Sequence, residues 1–432
     1  MLRISRACGY TLAAVSLLAC ATLAEAQKYR GYNASVAVSA PTRLDMVFPL
    51  ATQSLAEPPA DWFKGYDSTT QHYELFVPRV DPGKTYPVVL SISASNSPVG
   101  WSQWKSICEQ RQIIFASPFE AGNGVDMPQR IRIVLDVLDD LRRNYPIDPD
   151  RTYLSGFSGG ARVASGLTFA LPELFGGVIP ICASEDLREE SWLRHRAIER
   201  LSVGLVTGEK DFNRGEMATW RGPLFADVGV RTKVWVVLGM GHSYPDTKTL
   251  ADVYAWMNDA AAERTKLAKR FSAMHLPANV TPTRNDAAQR LLREAQDRVK
   301  KPETLYTGLM QMVGVMQRWP DTPAGEQAKE TLLKYEAQAD KPWEEADLAE
   351  QRKFLAAEAK GLAAYALGPL PEQYAKIRSK IAAAALTRWQ TIVASDPDSA
   401  LAKDAPQIIE QLERLVDKND AQPDAPPKLD SK

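Results

Sequence analysis

Between residues 73 and 262, short apolar runs alternate with amphipathic helical segments, and this alternation constrains the fold more than any other feature of the sequence. Early examples of the runs are YELFVP (73–78), PVVLSIS (87–93) and IIFASP (113–118). Near-continuous apolar strands separated by helices are typical of a parallel sheet that is buried on both faces. Because crossovers between parallel strands are right-handed, we expect the carboxyl ends of these strands to meet at one edge of the sheet.

The later part of this region continues the same alternation. Ile131, Val134, Leu135, Leu138 and Leu141 fall on one helical face, and Pro146 ends that helix. The strand RTYLSG then precedes a helix over 161–171. Further strands are predicted in GGVIPICAS, SVGLVTG and TKVWVVLG, and further helices in Leu187–Ile198 and LADVYAWMNDA.

The composition changes near residue 265, after which Ala, Leu, Glu, Lys and Gln recur at helical spacing. A length of 432 residues leaves room for about two to four domains. The predicted segments are a signal peptide (1–26), a loosely packed extension (27–60), an α/β domain (61–262), a connector (263–279), a helical domain (280–416) and a disordered polar tail (417–432).

The N-terminus has the features of a secretory signal. MLRISR is basic, TLAAVSLLACATLA is apolar, and Ala24-Glu25-Ala26 is a small-x-small cleavage site. The apolar run is shorter than the ~20 residues of a spanning helix, so we expect export and no membrane span after cleavage. Leu17-Leu-Ala-Cys20 also resembles a bacterial lipobox. A soluble periplasmic or extracellular protein and a lipoprotein anchored at Cys20 therefore stay as alternatives.

Charge and cysteine content exclude several classes of function. The net charge is −1, and no basic run is interleaved with aromatic residues, so a nucleic-acid partner is not expected. Only Cys108 and Cys182 remain after signal removal, either as one disulfide or as two buried thiols. The sequence lacks C-x-x-C, and its four His are far apart, so we expect neither a metal site nor a cofactor.

Ser158 lies at the centre of the G-x-S-x-G pattern in YLSGFSGGAR (153–162), between a predicted strand and a predicted helix. This context is typical of a nucleophile elbow, in which a strained turn projects the serine hydroxyl above the sheet. Gly156 and Gly160 leave room where the strand and the helix approach each other. The N–H of Gly159 lies at the helix start, where it can stabilise a developing oxyanion.

A serine hydroxyl needs a base that accepts its proton, and His242 is the candidate. It follows the last predicted strand in a glycine-flanked loop, VWVVLGMGH. The other histidines fit less well: His72 precedes the serine and flanks a strand, His195 lies on a polar helix where we expect it to be solvated, and His275 lies outside the α/β domain.

A carboxylate that orients the base is expected after an earlier strand. Asp211, in LVTGEKDFN, is the first candidate, Glu209 the second and Asp186 the third. The chain order Ser, Asp, His is the order of α/β-hydrolases and differs from those of the chymotrypsin and subtilisin types.

With these residues in place, the chain resembles the polyhydroxybutyrate depolymerase and feruloyl or acetylxylan esterase branch of the α/β-hydrolases. The matching segments are IDPDRTYLSGFSGGARVASGLTFALPELFGGVIPIC, VGLVTGEKDFN and LGMGHSYP, under half of the chain. The resemblance implies an α/β-hydrolase fold with a mostly parallel sheet. It also implies a serine esterase with Ser158 as nucleophile, Asp211 as acid and His242 as base, acting on an ester, including esters linked to a carbohydrate or a polymer. A serine peptidase of the same fold is an alternative.

One segment departs from this resemblance. Such esterases usually carry a His-Gly pair after the strand that PVVLSIS corresponds to, and it supplies the second oxyanion donor. Here the sequence reads SISASNSPVG, so we assign that role to a backbone N–H near Ser95. An incomplete oxyanion hole would favour a third hypothesis, a catalytically weak scaffold that binds a partner.

The C-terminal part is predicted to be an all-α domain of helical hairpins. MQRWPDTPAGEQAKETLLKYE (316–336) and IVASDPDSALAKDAPQIIEQL (392–412) each contain a helix, a Pro-Asp-Thr/Ser turn and a second amphipathic helix, and so resemble tetratricopeptide hairpins. A plain helical bundle is the alternative; in either case a protein partner could dock there. Trp319 and Trp389 are assigned to the core, and three further tryptophans are either core or cleft residues: Trp101, Trp104 and Trp192.

Overall fold

The computed structural model describes residues 29–270 and 283–420. The predicted signal peptide with Cys20, the residue His275 and the last twelve residues of the tail lie outside the described residues. The chain divides into two compact units. Unit 1 comprises the residues up to Gly204 together with Tyr244–Ala337, and unit 2 comprises Leu205–Ser243 together with the residues from Gln338 onward.

Eight strands form the sheet: β1 (Gly31–Ala37), β2 (His72–Val77), β3 (Tyr86–Ile92), β4 (Ile114–Pro118), β5 (Ile147–Phe157), β6 (Gly177–Ile181), β7 (Ser202–Gly208) and β8 (Arg231–Val237). Their order is β1-β2-β4-β3-β5-β6-β7-β8. Strand β7 begins in unit 1 and ends in unit 2, where β8 lies beside it. Strand β2 is antiparallel to β1 and β4, whereas β4, β3, β5 and β6 run parallel.

The α-helices of unit 1 are α1 (Trp101–Arg111), α2 (Met127–Asn144), α3 (Gly159–Ala170), α4 (Ser191–Arg200), α6 (Thr247–Asp259), α7 (Ala261–Arg270), α8 (Arg284–Arg298), α9 (Leu305–Arg318) and α10 (Pro323–Glu336). Those of unit 2 are α5 (Gly222–Val228), α11 (Glu344–Leu367), α12 (Arg378–Ser395) and α13 (Ala400–Asp420). A π-helical segment, Gly215–Arg221, precedes α5. Within the described ranges, none of these helices combines the length and apolar character needed to cross a membrane.

The predicted fold class is confirmed: a mostly parallel α/β sheet is followed by a helical region. Every residue of β3 is buried, and so is every residue of β4, β6 and β7, as expected for strands covered by helices on both faces. Helix α2 places the predicted apolar face against the sheet, and Pro146 follows its C-terminus.

The prediction of a loosely packed extension over 27–60 was wrong. Residues 31–37 form the edge strand β1, and Val36, Val38 and Phe48 are buried. The N–H groups of Ser39 and Thr42 donate to carboxylates of α2, those of Asp140 and Asp136, at 2.9 and 2.7 Å. The segment is therefore fixed both by buried apolar side chains and by hydrogen bonds to buried carboxylates.

Helix α4 is not the solvated helix that the sequence predicted around His195. The side chains of Arg194 and Arg196 are buried, and Arg196 forms an ion pair with Glu294 of α8. Arg298 of α8 in turn holds Glu199 of α4 through two hydrogen bonds of 2.6 and 2.7 Å. Reciprocal ion pairs therefore join α8 to α4 within unit 1, so α8–α10 belong to the same unit as most of the sheet.

The helices of unit 2 pack around a core of their own. Trp389 of α12 is buried, and its Nε1 donates to the carbonyl oxygen of Ala359 in α11 at 3.1 Å. Trp319 is buried in a corresponding cluster of α8–α10 in unit 1, so both tryptophans are core residues as predicted. Thr322 and Ser399, which end the two Pro-Asp-Thr/Ser turns, accept from backbone N–H groups three residues later and so cap the helices that follow. The similar segments 316–336 and 392–412 lie in unit 1 and unit 2, respectively. The units therefore divide the chain differently from the predicted domains 61–262 and 280–416.

Candidate active site

The backbone at Ser158 adopts the strained turn that the sequence pattern predicts. Ser158 lies between β5 and α3 with φ 53° and ψ −120°, a region that residues with a Cβ rarely occupy. Its N–H donates to the carbonyl oxygen of Ile181 at 2.9 Å, and its own carbonyl accepts from Ala161 at 2.9 Å. Neighbouring strand and helix thus hold the turn from both sides, and the half-buried Ser158 is presented at the carboxyl end of β5.

Two glycines allow α3 to approach the sheet at this turn. A Cβ on Gly160 would lie 2.2 Å from the carbonyl oxygen of Ile92 in β3, and one on Gly156 would lie 2.4 Å from the carbonyl oxygen of Gly160. Both obstacles are backbone atoms, which cannot move aside by a change of rotamer. The glycines of the pattern are therefore required by packing, as predicted.

We expect Gly160→Ala to lower the free energy of unfolding by about 1–3 kcal/mol, because the added methyl group overpacks the contact between α3 and β3. Gly166→Ala is the matched control in the same helix, since the nearest atom to its Cβ is Glu185 Cγ at 3.9 Å. That control should gain up to about 1 kcal/mol from helix propensity. Urea denaturation measures both; equal stabilities for the two variants would contradict the packing described here.

Unit 1 also positions the residues around the start of α3. Gly159 is the first residue of α3, so its N–H has no partner within the helix. The carboxamide of Asn123, from the loop between β4 and α2, lies against Gly159, a contact that the sequence analysis missed. The predicted donor Ser95 is already engaged, because its N–H donates to Ser93 Oγ at 3.0 Å.

Asp211 and His242 meet within unit 2. His242 Nδ1 lies 2.8 Å from Asp211 Oδ1, and the Asp211 side chain is fully buried whereas that of His242 is 20% exposed. Two further donors fix the carboxylate: Thr207 Oγ1 contacts Oδ2 at 2.8 Å and the Asn213 N–H contacts Oδ1 at 3.0 Å. Because a carboxylate only accepts, the neutral imidazole would carry its proton on Nδ1, and its Nε2 would then have the lone pair that a general base needs.

The imidazole is held from a second direction by an aromatic ring. Phe212 stacks on His242 with ring centroids 4.0 Å apart and an interplanar angle of 21°. Phe212 also contacts Tyr374, whose hydroxyl donates to Asn213 Oδ1 at 2.6 Å. The helical part of unit 2 therefore helps to orient the loop that carries Asp211, a role that no sequence pattern indicated.

The other two acid candidates, Glu209 and Asp186, do not take the place that Asp211 has beside His242. Glu209 is exposed, and its carboxylate accepts the N–H of Gly239 at 3.0 Å, which ties the loop after β7 to the loop after β8. The N–H of Lys210 does the same by donating to the carbonyl oxygen of Met240 at 2.9 Å. Asp186 lies in unit 1, so Asp211 is the acid that unit 2 brings to His242.

Other residues singled out from the sequence are mostly structural. Trp104 is fully buried, with its Nε1 donating to Tyr244 Oη at 3.0 Å, and Trp192 is buried on α4. Trp101 stacks between the rings of Tyr32 and Phe76, each 5.0 Å away.

His72 is exposed at the start of β2, as expected for a residue outside the site. No disulfide joins Cys108 and Cys182, which are two buried thiols, and burial raises the pKa of the Cys108 thiol.

Comparisons with known proteins found no matching family model and no matching curated protein. Solved structures do match over part of the chain. An S-formylglutathione hydrolase from Staphylococcus aureus is 12% identical with a TM-score of 0.35, covering 43% of this chain and 90% of that one. A ferulic acid esterase is 15% identical with a TM-score of 0.35, covering 45% and 92%. A puromycin-hydrolyzing peptidase from Mycobacterium tuberculosis is 14% identical with a TM-score of 0.34, covering 53% and 43%. At these identities and TM-scores we draw no functional conclusion from the likeness.

Proposed function

We propose that this chain is an exported serine esterase that cleaves carboxylic esters through an acyl-enzyme. The observation that carries the proposal is the backbone of Ser158, a non-glycine residue at φ 53° on the turn from β5 to α3. Strain of this kind persists only where the surrounding structure enforces it, and it is concentrated at functional sites. The hydrogen-bonded pair of Asp211 and His242 supports the same proposal, since it supplies an oriented base.

The proposed reaction has two halves. Ser158 Oγ attacks the carbonyl carbon of the ester while its proton passes to His242 Nε2, and the carbonyl π electrons move to the oxygen. Collapse of this tetrahedral species expels the alkoxide, which takes the proton from His242 and leaves as the alcohol. Water then attacks the acyl-enzyme, again giving its proton to His242, and the acid is released as Ser158 recovers its proton.

The fixed dipoles around these groups favour this chemistry. The N–H of Gly159 at the start of α3 can donate to the oxygen that gains charge, in an environment where little reorganisation is needed. The buried carboxylate of Asp211 stabilises the imidazolium form of His242 that exists between the two proton transfers. No metal ion takes part in these steps. The basic and apolar N-terminal sequence with its Ala24-Glu25-Ala26 site is the basis for proposing export.

A fluorophosphonate probe tests the proposal directly, because it phosphonylates a serine hydroxyl that a neighbouring base activates. We expect one probe molecule per wild-type chain and none on Ser158→Ala, as measured by intact-protein mass spectrometry. Parallel assays with p-nitrophenyl acetate and a peptide anilide separate an esterase from a peptidase. Labelling that survives Ser158→Ala would remove Ser158 from the mechanism, and a chain that neither labels nor hydrolyses either substrate would favour the scaffold hypothesis.

A further inference from the structure

The side chain of Asn123 lies directly over the first residue of α3. A Cβ built on Gly159 would be 1.8 Å from Asn123 Oδ1, 2.6 Å from its Cγ and 2.8 Å from its Nδ2, so the whole carboxamide contacts the Gly159 backbone. Asn123 is exposed, and among the described residues its carboxamide has no hydrogen-bond partner. The carboxamide, with its oxygen nearest and its Nδ2 within reach, therefore lies over the position where Gly159 lacks a side chain, at the start of α3.

The loop that carries Asn123 is locked onto the loop that follows β3. The N–H of Asn123 donates to the carbonyl oxygen of Ala94 at 2.9 Å, and that of Glu120 donates to the carbonyl oxygen of Asn96 at 2.8 Å. The N–H of Gly122 donates to the side chain of Asn96 at 3.1 Å. Three hydrogen bonds thus fix the backbone of the loop that carries Asn123, so its side chain starts from a defined position beside α3.

Two features of this loop show how closely it is constrained. Glu120 has φ 55°, a strained value for a residue with a Cβ. A Cβ on Gly122 would lie 2.6 Å from the backbone carbon of Ser95, so only glycine permits the approach of the two loops. The strain is consistent with selection for the placement of Asn123 rather than for the stability of the loop.

The backbone N–H of Ser95, which the sequence predicted as the second oxyanion donor, already donates to another group. The N–H of Ser95 donates to Ser93 Oγ at 3.0 Å, and Ser95 Oγ itself lies 3.0 Å from the same hydroxyl. An oxyanion hole is commonly completed by a side-chain amide where backbone donors are lacking, because an N–H of an amide is as good a donor as one of the main chain.

We propose that Asn123 is a catalytic residue, whose Nδ2 donates the second hydrogen bond to the oxyanion, beside the N–H of Gly159. This inference rests on the proposed esterase function. When Ser158 Oγ bonds to the carbonyl carbon, the π electron pair moves to the carbonyl oxygen, and the two N–H groups stabilise that charge. The pair returns to the carbon–oxygen bond when the alkoxide leaves, so Asn123 gains and loses no proton.

Kinetics with p-nitrophenyl acetate test the role of Asn123. We expect Asn123→Ala to lower kcat by about 10²–10³-fold while KM changes little, since the donor acts mainly on the transition state. Asn123→Asp has the same shape but no N–H, so its loss should be at least as large. Asn33→Ala on the edge strand β1 is the control for an asparagine remote from the site, and it should stay within about twofold of wild type.

Binding of an arylboronic acid distinguishes catalysis from a structural role, because its adduct with a serine is tetrahedral. Its dissociation constant should rise in Asn123→Ala by about the factor by which kcat falls. A kcat within about threefold of wild type, or a loss of kcat without weaker boronate binding, would overturn this inference alone. A wild-type chain that neither labels with fluorophosphonate nor hydrolyses the ester would overturn the esterase proposal together with it.

Discussion

Ser158→Ala is expected to lower kcat for p-nitrophenyl acetate by roughly 10⁶-fold, the loss found when a triad nucleophile is removed. The residual rate would come from the oxyanion donors and from substrate binding, which do not need the hydroxyl. Because alanine also carries a Cβ, the substitution keeps the strained backbone at φ 53°, so the fold should not change. Steady-state kinetics measure the loss, and the same thermal unfolding curve for both proteins shows that it is chemical.

Ser155→Ala is the matched control, three residues earlier on β5. Ser155 is fully buried, and its Oγ donates to the carbonyl oxygen of Ile179 at 3.2 Å. Losing this bond should lower the free energy of unfolding by about 1 kcal/mol and leave kcat within a few-fold of wild type. If Ser158→Ala kept a tenth of the activity, or if Ser155→Ala lost as much, the serine of the elbow would not be the nucleophile.

Most of the sheet could be predicted because its strands are buried on both faces. Strands β3, β4, β6 and β7 are fully buried, so their apolar runs are continuous and easy to recognise. Strand β1 could not be recognised, since its sequence GYNASVA is small and polar and most of its residues are at least partly exposed. Helix α1 was also missed, because its buried residues, Trp104, Ile107 and Cys108, form only a short apolar stripe.

The candidate site was predictable where it depends on local sequence and unpredictable where it depends on contacts between distant loops. The turn at Ser158 follows from the glycines around it, which a five-residue pattern contains. The sequence ranked Asp211 before Glu209, but only the side-chain geometry shows that the carboxylate of Asp211 contacts His242 while that of Glu209 accepts the N–H of Gly239. Asn123 had no sequence signal, because its position is set by hydrogen bonds to residues 94–96.

The buried arginines of α4 illustrate the same limit for the fold. SWLRHRAIER has the composition of a solvated helix, yet Arg196 and Arg194 are buried. The carboxylate that neutralises Arg196 is that of Glu294, 98 residues away in the sequence. A buried charge is strongly destabilising unless an opposite charge pairs with it. A local sequence pattern does not show whether a distant residue will form that pair.

Asp211→Asn is expected to lower kcat by about 10⁴-fold, the effect of the same change in a serine protease triad. The carboxylate accepts the Nδ1 proton of His242 at 2.8 Å, and the Thr207 hydroxyl and the Asn213 N–H also donate to it. An asparagine has one acceptor oxygen for these three donors. Its NH2 group would therefore replace either the oxygen that faces Thr207 or the oxygen that faces His242 and the Asn213 N–H. In the second case the imidazole would adopt the tautomer with Nε2 protonated, which cannot accept the serine proton. The substitution also removes the buried charge that stabilises the imidazolium.

Glu209→Gln is the matched control, because Glu209 is an exposed acid in the same loop and was the second candidate for the role. Its carboxylate accepts the N–H of Gly239, and a glutamine oxygen can do the same, so kcat should stay within about twofold of wild type. Measuring kcat for both variants with p-nitrophenyl acetate, together with far-UV circular dichroism, separates chemistry from folding. A large loss in Glu209→Gln with little change in Asp211→Asn would reverse the assignment of the acid. Equal small losses in both would mean that neither Asp211 nor Glu209 is the carboxylate that orients His242.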